Sequence, residues 1–205
     1  MILPSVVATT QICAELGVRR VIISPGSRNA PLTIAFVRHP SIETYSVSDE
    51  RSAAFIGLGM ARQTRSPVAL ICTSGSAAYN YAPAVAEAYF QQIPLLILTA
   101  DRPPEWIDQL DGQTIRQREI YGKHIKASYE LPVGQTEADQ WYAHRQVSEA
   151  VNKTQSYPPG PVHVNVPIRE PFYPKEGEEI SFDTPVKIIR ISEVEAQLSI
   201  DAQQQ

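Results

Sequence analysis

The sequence predicts an α/β fold, a parallel β-sheet flanked by helices on both faces. Three observations carry that expectation. Short apolar runs alternate with longer segments of helical character along most of the 205 residues. The runs are continuously apolar rather than alternating, as expected of strands buried on both faces. Strand and helix follow one another in a βαβα succession with no internal repeat, which favours parallel pairing through helical crossovers. Hydrophobic residues make up 43% of the chain and charged residues 20%, enough apolar side chain for a full core. At roughly 150 residues per domain the length suits one large domain, or a domain with an appendage.

In chain order, the first helix is expected near residues 5–16, before the β-branched run Val21-Ile22-Ile23 that ends at Ser24-Pro25-Gly26. Further strands are expected at Glu43–Val47, Val68–Cys72, Leu95–Thr99, Lys126–Leu131 and Val162–Val166. Between them, helices are expected near 30–38, 50–63, 75–91, 114–122 and 136–154. Composition shifts near Tyr157: seven of the 17 prolines fall between Pro158 and Pro185, and Lys175-Glu176-Gly177-Glu178-Glu179 is polar and charged. Proline removes backbone donors and few apolar groups remain to pack. The organisation read from this is a domain over residues 1–172 and a linker, or the start of a following domain, over 173–205. Ile188–Ile191 and the terminal Gln203-Gln204-Gln205 read as part of something longer, so the chain is expected to be a fragment.

Eighteen basic against 22 acidic residues give a net charge of −4, and the pI is near 5.6. A general polyanion binder is basic overall, so nucleic acid and acidic membrane surfaces are poor partners. The longest apolar runs, Val68–Cys72 and Pro94–Ala100, are far shorter than the ~20 residues that span a bilayer. The first residues carry no basic segment followed by an apolar core. Cys13 and Cys72 lack CxxC spacing and sit in apolar segments, which suits two buried free thiols. A cytoplasmic protein is expected.

Ligands of such sheets sit beyond the carboxyl ends of the strands, and several strands here end in chemistry. After the first comes Ser24-Pro25-Gly26-Ser27-Arg28-Asn29-Ala30-Pro31-Leu32, a tight turn feeding a helix amino terminus. Its amides suit an anion, and Arg28 adds a forked donor matched to carboxylate or phosphate; a plain turn with a solvated arginine is the alternative. After the second comes Asp49-Glu50-Arg51, opening the apolar helix of Ala53, Ala54, Phe55, Ile56, Leu58 and Met60, in which Gly57 and Gly59 allow close approach. Glu50 either answers the helix dipole or is buried, which raises its pKa and lets it share a proton. The third strand runs into Thr73-Ser74-Gly75-Ser76 without a GxxxxGK[ST] or GxGxxG pattern. The fourth ends in Thr99-Ala100-Asp101-Arg102-Pro103-Pro104-Glu105, placing Arg102 where Arg28 also points. Two arginines beyond neighbouring strand ends suit a ligand with more than one carboxylate, unless Arg102 only shapes its loop. Amides of Gly112–Gln117 lie within reach of the same crevice. The four histidines lack metal-ligand spacing, and no Gly-x-Ser-x-Gly elbow occurs.

Taken together, Ser24-Pro25-Gly26-Ser27-Arg28, Asp49-Glu50-Arg51-Ser52-Ala53-Ala54-Phe55, Thr73-Ser74-Gly75 and Asp101-Arg102-Pro103-Pro104-Glu105 resemble, in order and spacing, the 2-succinyl-5-enolpyruvyl-6-hydroxy-3-cyclohexene-1-carboxylate synthase family. The likeness covers roughly residues 5–170 and is to the amino-terminal, pyrimidine-binding domain. It implies the thiamine-diphosphate-enzyme pyrimidine-domain fold. It also implies that the full-length protein is a transferase of menaquinone or phylloquinone biosynthesis, which decarboxylates 2-oxoglutarate and adds the succinyl unit to isochorismate. By the same resemblance Glu50 hydrogen-bonds the cofactor pyrimidine and favours its imino tautomer, a form of acid–base catalysis carried through the cofactor. Arg28 and Arg102 hold carboxylates of substrate or adduct, with Ser27 near that site. Ser74, Gly75 and Gln113 lie against the cofactor.

The resemblance implies Mg2+ or Mn2+ and diphosphate sites in a separate domain, marked by Gly-Asp-Gly and a later asparagine pair, neither of which is in this sequence. That domain belongs to a second subunit of a homodimer or homotetramer, so the 205-residue chain alone is expected to be inactive. Two positions depart from the family pattern: Leu110-Asp111-Gly112 stands where Gly-Ala-Asn is usual, and Ser76 replaces a threonine. Other thiamine-diphosphate enzymes of 2-oxo acids carry a glycine pair, a His-Glu and a Ser-Gly-Pro-Gly turn at the corresponding places, and this chain does not. A non-catalytic relative has no need of Glu50, Arg28 and Arg102 at strand ends.

Overall fold

The computed structural model describes residues 3–170, 172–174 and 177–191. Six strands form one sheet: β1 (Arg20–Ile23), β2 (Glu43–Ser46), β3 (Val68–Cys72), β4 (Leu95–Asp101), β5 (Ala127–Glu130) and β6 (Val162–Pro167). Every pairing is parallel, in the order β2-β1-β3-β4-β6-β5. β3 and β4 are buried at every residue, as their unbroken apolar character requires of central strands covered on both faces. The edge strands β2 and β5 are only partly covered.

Residues of alternate parity along each strand feed two separate cores. On one face Val21, Ile71, Leu98, Val162 and Val164 meet α1 (Pro4–Glu15), α2 (Ala30–Arg38) and α6 (Glu137–Gln155). On the other, Ile22, Leu70, Cys72, Leu95 and Ile97 meet α3 (Glu50–Thr64), α4 (Ser76–Asn80), α5 (Ala82–Phe90) and the ring of Tyr121. Each helix starts for a local reason. Pro4, Pro31 and Pro83 occupy first-turn positions, where a missing N–H costs nothing. Thr136 and Asp139 close a reciprocal capping box on α6.

Two expected helices come out differently. Residues 75–91 form α4 and α5 rather than one helix, because Pro83 has no N–H to donate and its ring excludes a continuous ladder through Tyr81. Residues 114–122 form turns, not a helix. Gln113 and Glu119 adopt left-handed φ of 57° and 56°, and Gly122 one of 54°, which breaks the right-handed ladder. The turns let Gln117 and Tyr121 both face the sheet, where each is buried. Gly57 packs tightly, since a Cβ there would sit 2.5 Å from Leu70 Cδ2, whereas Gly59 faces open space. The expected close approach therefore holds at Gly57 alone, and to a side chain.

The described residues after β6 contain no helix or strand, yet they lie against the α1 and α6 layer. Phe172, Ile180, Val186 and Ile188 pack on that core. Ser148 Oγ accepts from Ile189 N (3.3 Å), and Asn152 Nδ2 donates to the Ile189 carbonyl (2.7 Å). Gln203–Gln205 lie outside the described residues.

Candidate active site

The chain runs from β1 outward to edge strand β2 and returns to β3 on the other side of β1. Such a reversal opens a crevice at the strands' carboxyl ends. Ser24–Arg28 follows β1, Asp49-Glu50 follows β2, Thr73–Gly75 follows β3 and Arg102 follows β4, so the predicted residues all belong to this end of the sheet. The β1 and β3 loops touch: a Cβ on Gly26 would lie 2.5 Å from Thr73 Cβ. Ser24 N donates to the Ile71 carbonyl (2.8 Å) and its hydroxyl to the Val47 carbonyl (2.9 Å), which ties the three strand exits together.

Asp49 caps α3, accepting from Ser52 N at 2.7 Å, and those contacts hold its carboxyl below the ordinary range. Capping is thus done by Asp49, which leaves Glu50 at the first helical position with another task available. Glu50 is half-buried rather than enclosed, between the two alternatives that the sequence leaves open. Further along α3, on other faces of the helix, Phe55 and Ile56 face outward and are 44% and 42% exposed. Among the described residues, its one hydrogen bond comes from Asn80 Nδ2 at 3.3 Å. A carboxyl at a helix start, half-buried and holding one neutral donor, fits a ring nitrogen of a heteroaromatic ligand.

Ser74, Gly75, Arg102 and Gln113 converge. Arg102 Nη1 donates to Ser74 Oγ (2.6 Å) and to the Gln113 carbonyl (3.1 Å), and Ser74 Oγ also donates to that carbonyl (3.1 Å). Nε and Nη2 of Arg102 bond the Asp111 carboxylate and the Gly112 carbonyl. Gly75 has φ of 83°, and a Cβ there would lie 2.8 Å from the Gln113 carbonyl oxygen; only glycine fits on both counts. Arg28 donates to the Ile168 carbonyl (2.8 Å) and stacks on Phe172 at 4.7 Å. Burial and the nearby Arg102 charge lower the Arg28 pKa. Ser27 is exposed at the same loop. Arg28, Arg102, Trp106, Asp111, Arg169 and Glu170 line a crevice of about 520 Å³. Three arginines and two carboxylates face it, Arg102 being paired with Asp111.

Beneath the crevice lies a polar network that sequence reasoning passed over. Gln117 Oε1 accepts from Gly75 N (2.7 Å), while its Nε2 donates to the Ala100 carbonyl (3.1 Å) and to Asn165 Oδ1 (3.0 Å). Asn165 Oδ1 also accepts from Thr99 Oγ1 (3.0 Å), and Nδ2 donates to Asp101 (2.9 Å) and Glu130 (3.2 Å). Since the Thr99 hydrogen is spent on Asn165, His163 Nε2 donates to Thr99 Oγ1 at 2.7 Å, and Nδ1 accepts from Ser128 at 3.3 Å. Burial drives the His163 pKa down to about 3 and raises that of Asp101 against the pull of Asn165. The available signal was a polar residue at alternate places in the β6 run Val162-His163-Val164-Asn165-Val166, beside Thr99 in an otherwise apolar β4. Arg169 follows β6 as Arg28 follows β1 and pairs with Glu105; the reasoning that found Arg28 applies to it equally.

Among the described residues, no group of three or more histidine, cysteine or acidic side chains is placed to hold a metal ion. No helix among them is long and apolar enough to cross a membrane. Cys13 and Cys72 are buried and unpaired, and burial raises both thiol pKa values.

Residues 7–124 match the family described as thiamine pyrophosphate enzyme, N-terminal TPP binding domain. Three curated relatives carry the name 2-succinyl-5-enolpyruvyl-6-hydroxy-3-cyclohexene-1-carboxylate synthase. That of Cytophaga hutchinsonii is 59% identical over 88% of this chain and 32% of its own length. That of Phocaeicola vulgatus is 48% identical over 77% of this chain and 28% of its own, and that of Flavobacterium johnsoniae 46% over 82% and 29%. The chain thus spans about a third of the relatives it matches.

Proposed function

Since this chain belongs to the thiamine pyrophosphate enzyme family through its N-terminal TPP-binding domain, we propose that it forms the pyrimidine-binding half of a 2-succinyl-5-enolpyruvyl-6-hydroxy-3-cyclohexene-1-carboxylate synthase. The full-length enzyme of this reading decarboxylates 2-oxoglutarate and joins the succinyl unit to isochorismate. The observation that carries it is Glu50: its neighbour Asp49 does the capping, so the half-buried carboxyl is held by Asn80 alone among the described residues. Thiamine diphosphate, when bound, supplies the electron sink for breaking and making the bonds to carbon.

The work of this chain is then acid–base and electrostatic. Glu50 holds a proton at a ring nitrogen of the pyrimidine, and Ser74, Gly75 and Gln113 form the wall that the ring meets. Arg28 and Arg102 hold ligand carboxylates in a crevice where positive charge outweighs negative, with Ser27 at its rim. Mg2+ or Mn2+ and the diphosphate are held by a domain of a second subunit. The apolar surface on α3, α4 and α5 supports such a neighbour: Phe55, Ile56, Tyr79 and Phe90 are 42–74% exposed, more than a buried core layer leaves to water unless a protein covers it. The assembly is a homodimer or homotetramer in the cytoplasm.

Glu50→Gln in the full-length protein tests the reading. General acid–base catalysis contributes about 10²–10⁴-fold, so turnover of 2-oxoglutarate with isochorismate should fall at least ~100-fold while the unfolding temperature stays put. Unchanged turnover would overturn the assignment.

A further inference from the structure

Arg102 is not a free arginine awaiting a ligand. A guanidinium has five N–H donors, and four are engaged here, by Asp111, Gly112, Gln113 and Ser74. Asp111 takes the Nε edge as a carboxylate ligand would, from within the crevice itself. The segment carrying it is strained: Asp108, Leu110 and Gln113 have left-handed φ of 63°, 61° and 57°, which side chains with a Cβ adopt reluctantly. Leu110 is fully exposed, so no packing of its side chain holds that conformation. The hydrogen bonds from Arg102 hold residues 111–113, and Arg116 holds Asp108 at the other end.

We propose that Asp111 is an internal counter-ion for Arg102, occupying the donors that a small dicarboxylate takes, and that such a ligand displaces it and releases residues 109–111, between the anchors at Asp108 and Gly112. The proposal rests on the reading of Arg102 as a carboxylate-binding residue. Asp111 acts as a threshold on affinity. A ligand anchored at Arg102 alone gains little, because one carboxylate replaces another. A ligand that also reaches Arg28 or Arg169 gains a second charge-assisted contact and displaces Asp111.

Succinate is a suitable probe, titrated calorimetrically into the full-length protein and its Asp111→Asn, Arg102→Ala and doubly substituted variants. Ion pairs with an exposed carboxylate are weak, so Asp111→Asn should bind succinate roughly three- to fivefold more tightly. Arg102→Ala should weaken binding at least ~10-fold, as loss of a charge-assisted pair does. Asp111→Asn should add nothing on that background. Unchanged or weaker binding by Asp111→Asn, with Arg102→Ala still impaired, removes the counter-ion role and leaves Arg102 a ligand residue. Unimpaired binding by Arg102→Ala removes both. Limited proteolysis of the unsubstituted full-length protein with thermolysin gives a second readout: succinate should speed cleavage beside Leu110, and an unchanged or slower rate overturns the release of the segment.

Discussion

One carboxamide, that of Asn165, joins three strands and a loop. It meets Thr99 on β4, Glu130 on β5 and Asp101 at the β4 exit, and through Gln117 it reaches the amide of Gly75. Replacing it leaves buried polar groups unsatisfied at a cost of about 1–3 kcal/mol each, reduced by whatever water enters. Asn165→Ala should therefore lower unfolding stability by roughly 2–4 kcal/mol, read from the urea midpoint of the full-length protein. A loss below ~0.5 kcal/mol, the range of ordinary surface substitutions, would mean that the network does not hold the loop. These roles were hidden in the sequence for a physical reason. Arg28, Ser74, Gly75 and Arg102 announce themselves because they directly follow strands. Gln117 and Asn165 gain their meaning only from partners 17 to 66 residues away. Glu50 was legible as a candidate, but its half-exposure was not, since the apolar side chains Phe55 and Ile56 further along α3 turn away from the core.

Among the elements, α3 shows how tightly the second layer is drawn onto the sheet. Gly57 gives Leu70 the space a side chain would take. Alanine there gains up to about 1 kcal/mol in helix propensity but overpacks a fully buried leucine, which costs about 1–3 kcal/mol. Gly57→Ala should be destabilising on balance by about 1 kcal/mol, a drop in unfolding temperature of a few degrees by calorimetry; a rise would show that α3 can shift outward. All six strands were expected, but only β1, β3 and β4 rest on continuous apolar runs, while β2, β5 and β6 carry polar residues. The helix expected over 114–122 was not formed, because Gln117 and Tyr121 must both face the sheet while Glu119 and Gly122 turn left-handed. Local propensity carries no information about that demand. The split of 75–91 was written in Pro83, whose ring reads equally as a first-turn proline or as an interruption.

For the whole molecule, pH acts through a group far from the surface. His163 is neutral and buried, with its pKa near 3 against an unfolded value of about 6.5. Below pH ~6.5 the unfolded chain takes a proton that the folded chain refuses, so stability is full above that pH and declines as pH falls toward 3. The slope from this residue is about 1.4 kcal/mol per pH unit. Asp101 works in the opposite sense at the acid end, since its folded pKa is raised. Tyr121, whose ring edge faces the imidazole, stays uncharged throughout. Urea midpoints between pH 6.5 and 5 should fall more steeply for the unsubstituted protein than for His163→Gln; equal slopes would assign the titration to another group.

The parallel sheet also sets the order in which the molecule can be built. No two neighbouring strands are joined by a hairpin, and the β4–β6 pairing matches Leu96 with Val162 across the intervening α6 and β5. Loop-closure entropy is spent before such distant contacts repay it. Asn165 reaches Thr99 only when that closure is made, and the clamp on Gly75 follows from it. The crevice is lined by residues that follow β4 and β6 as well as β1, so it is absent from any arrangement that holds only the first three strands.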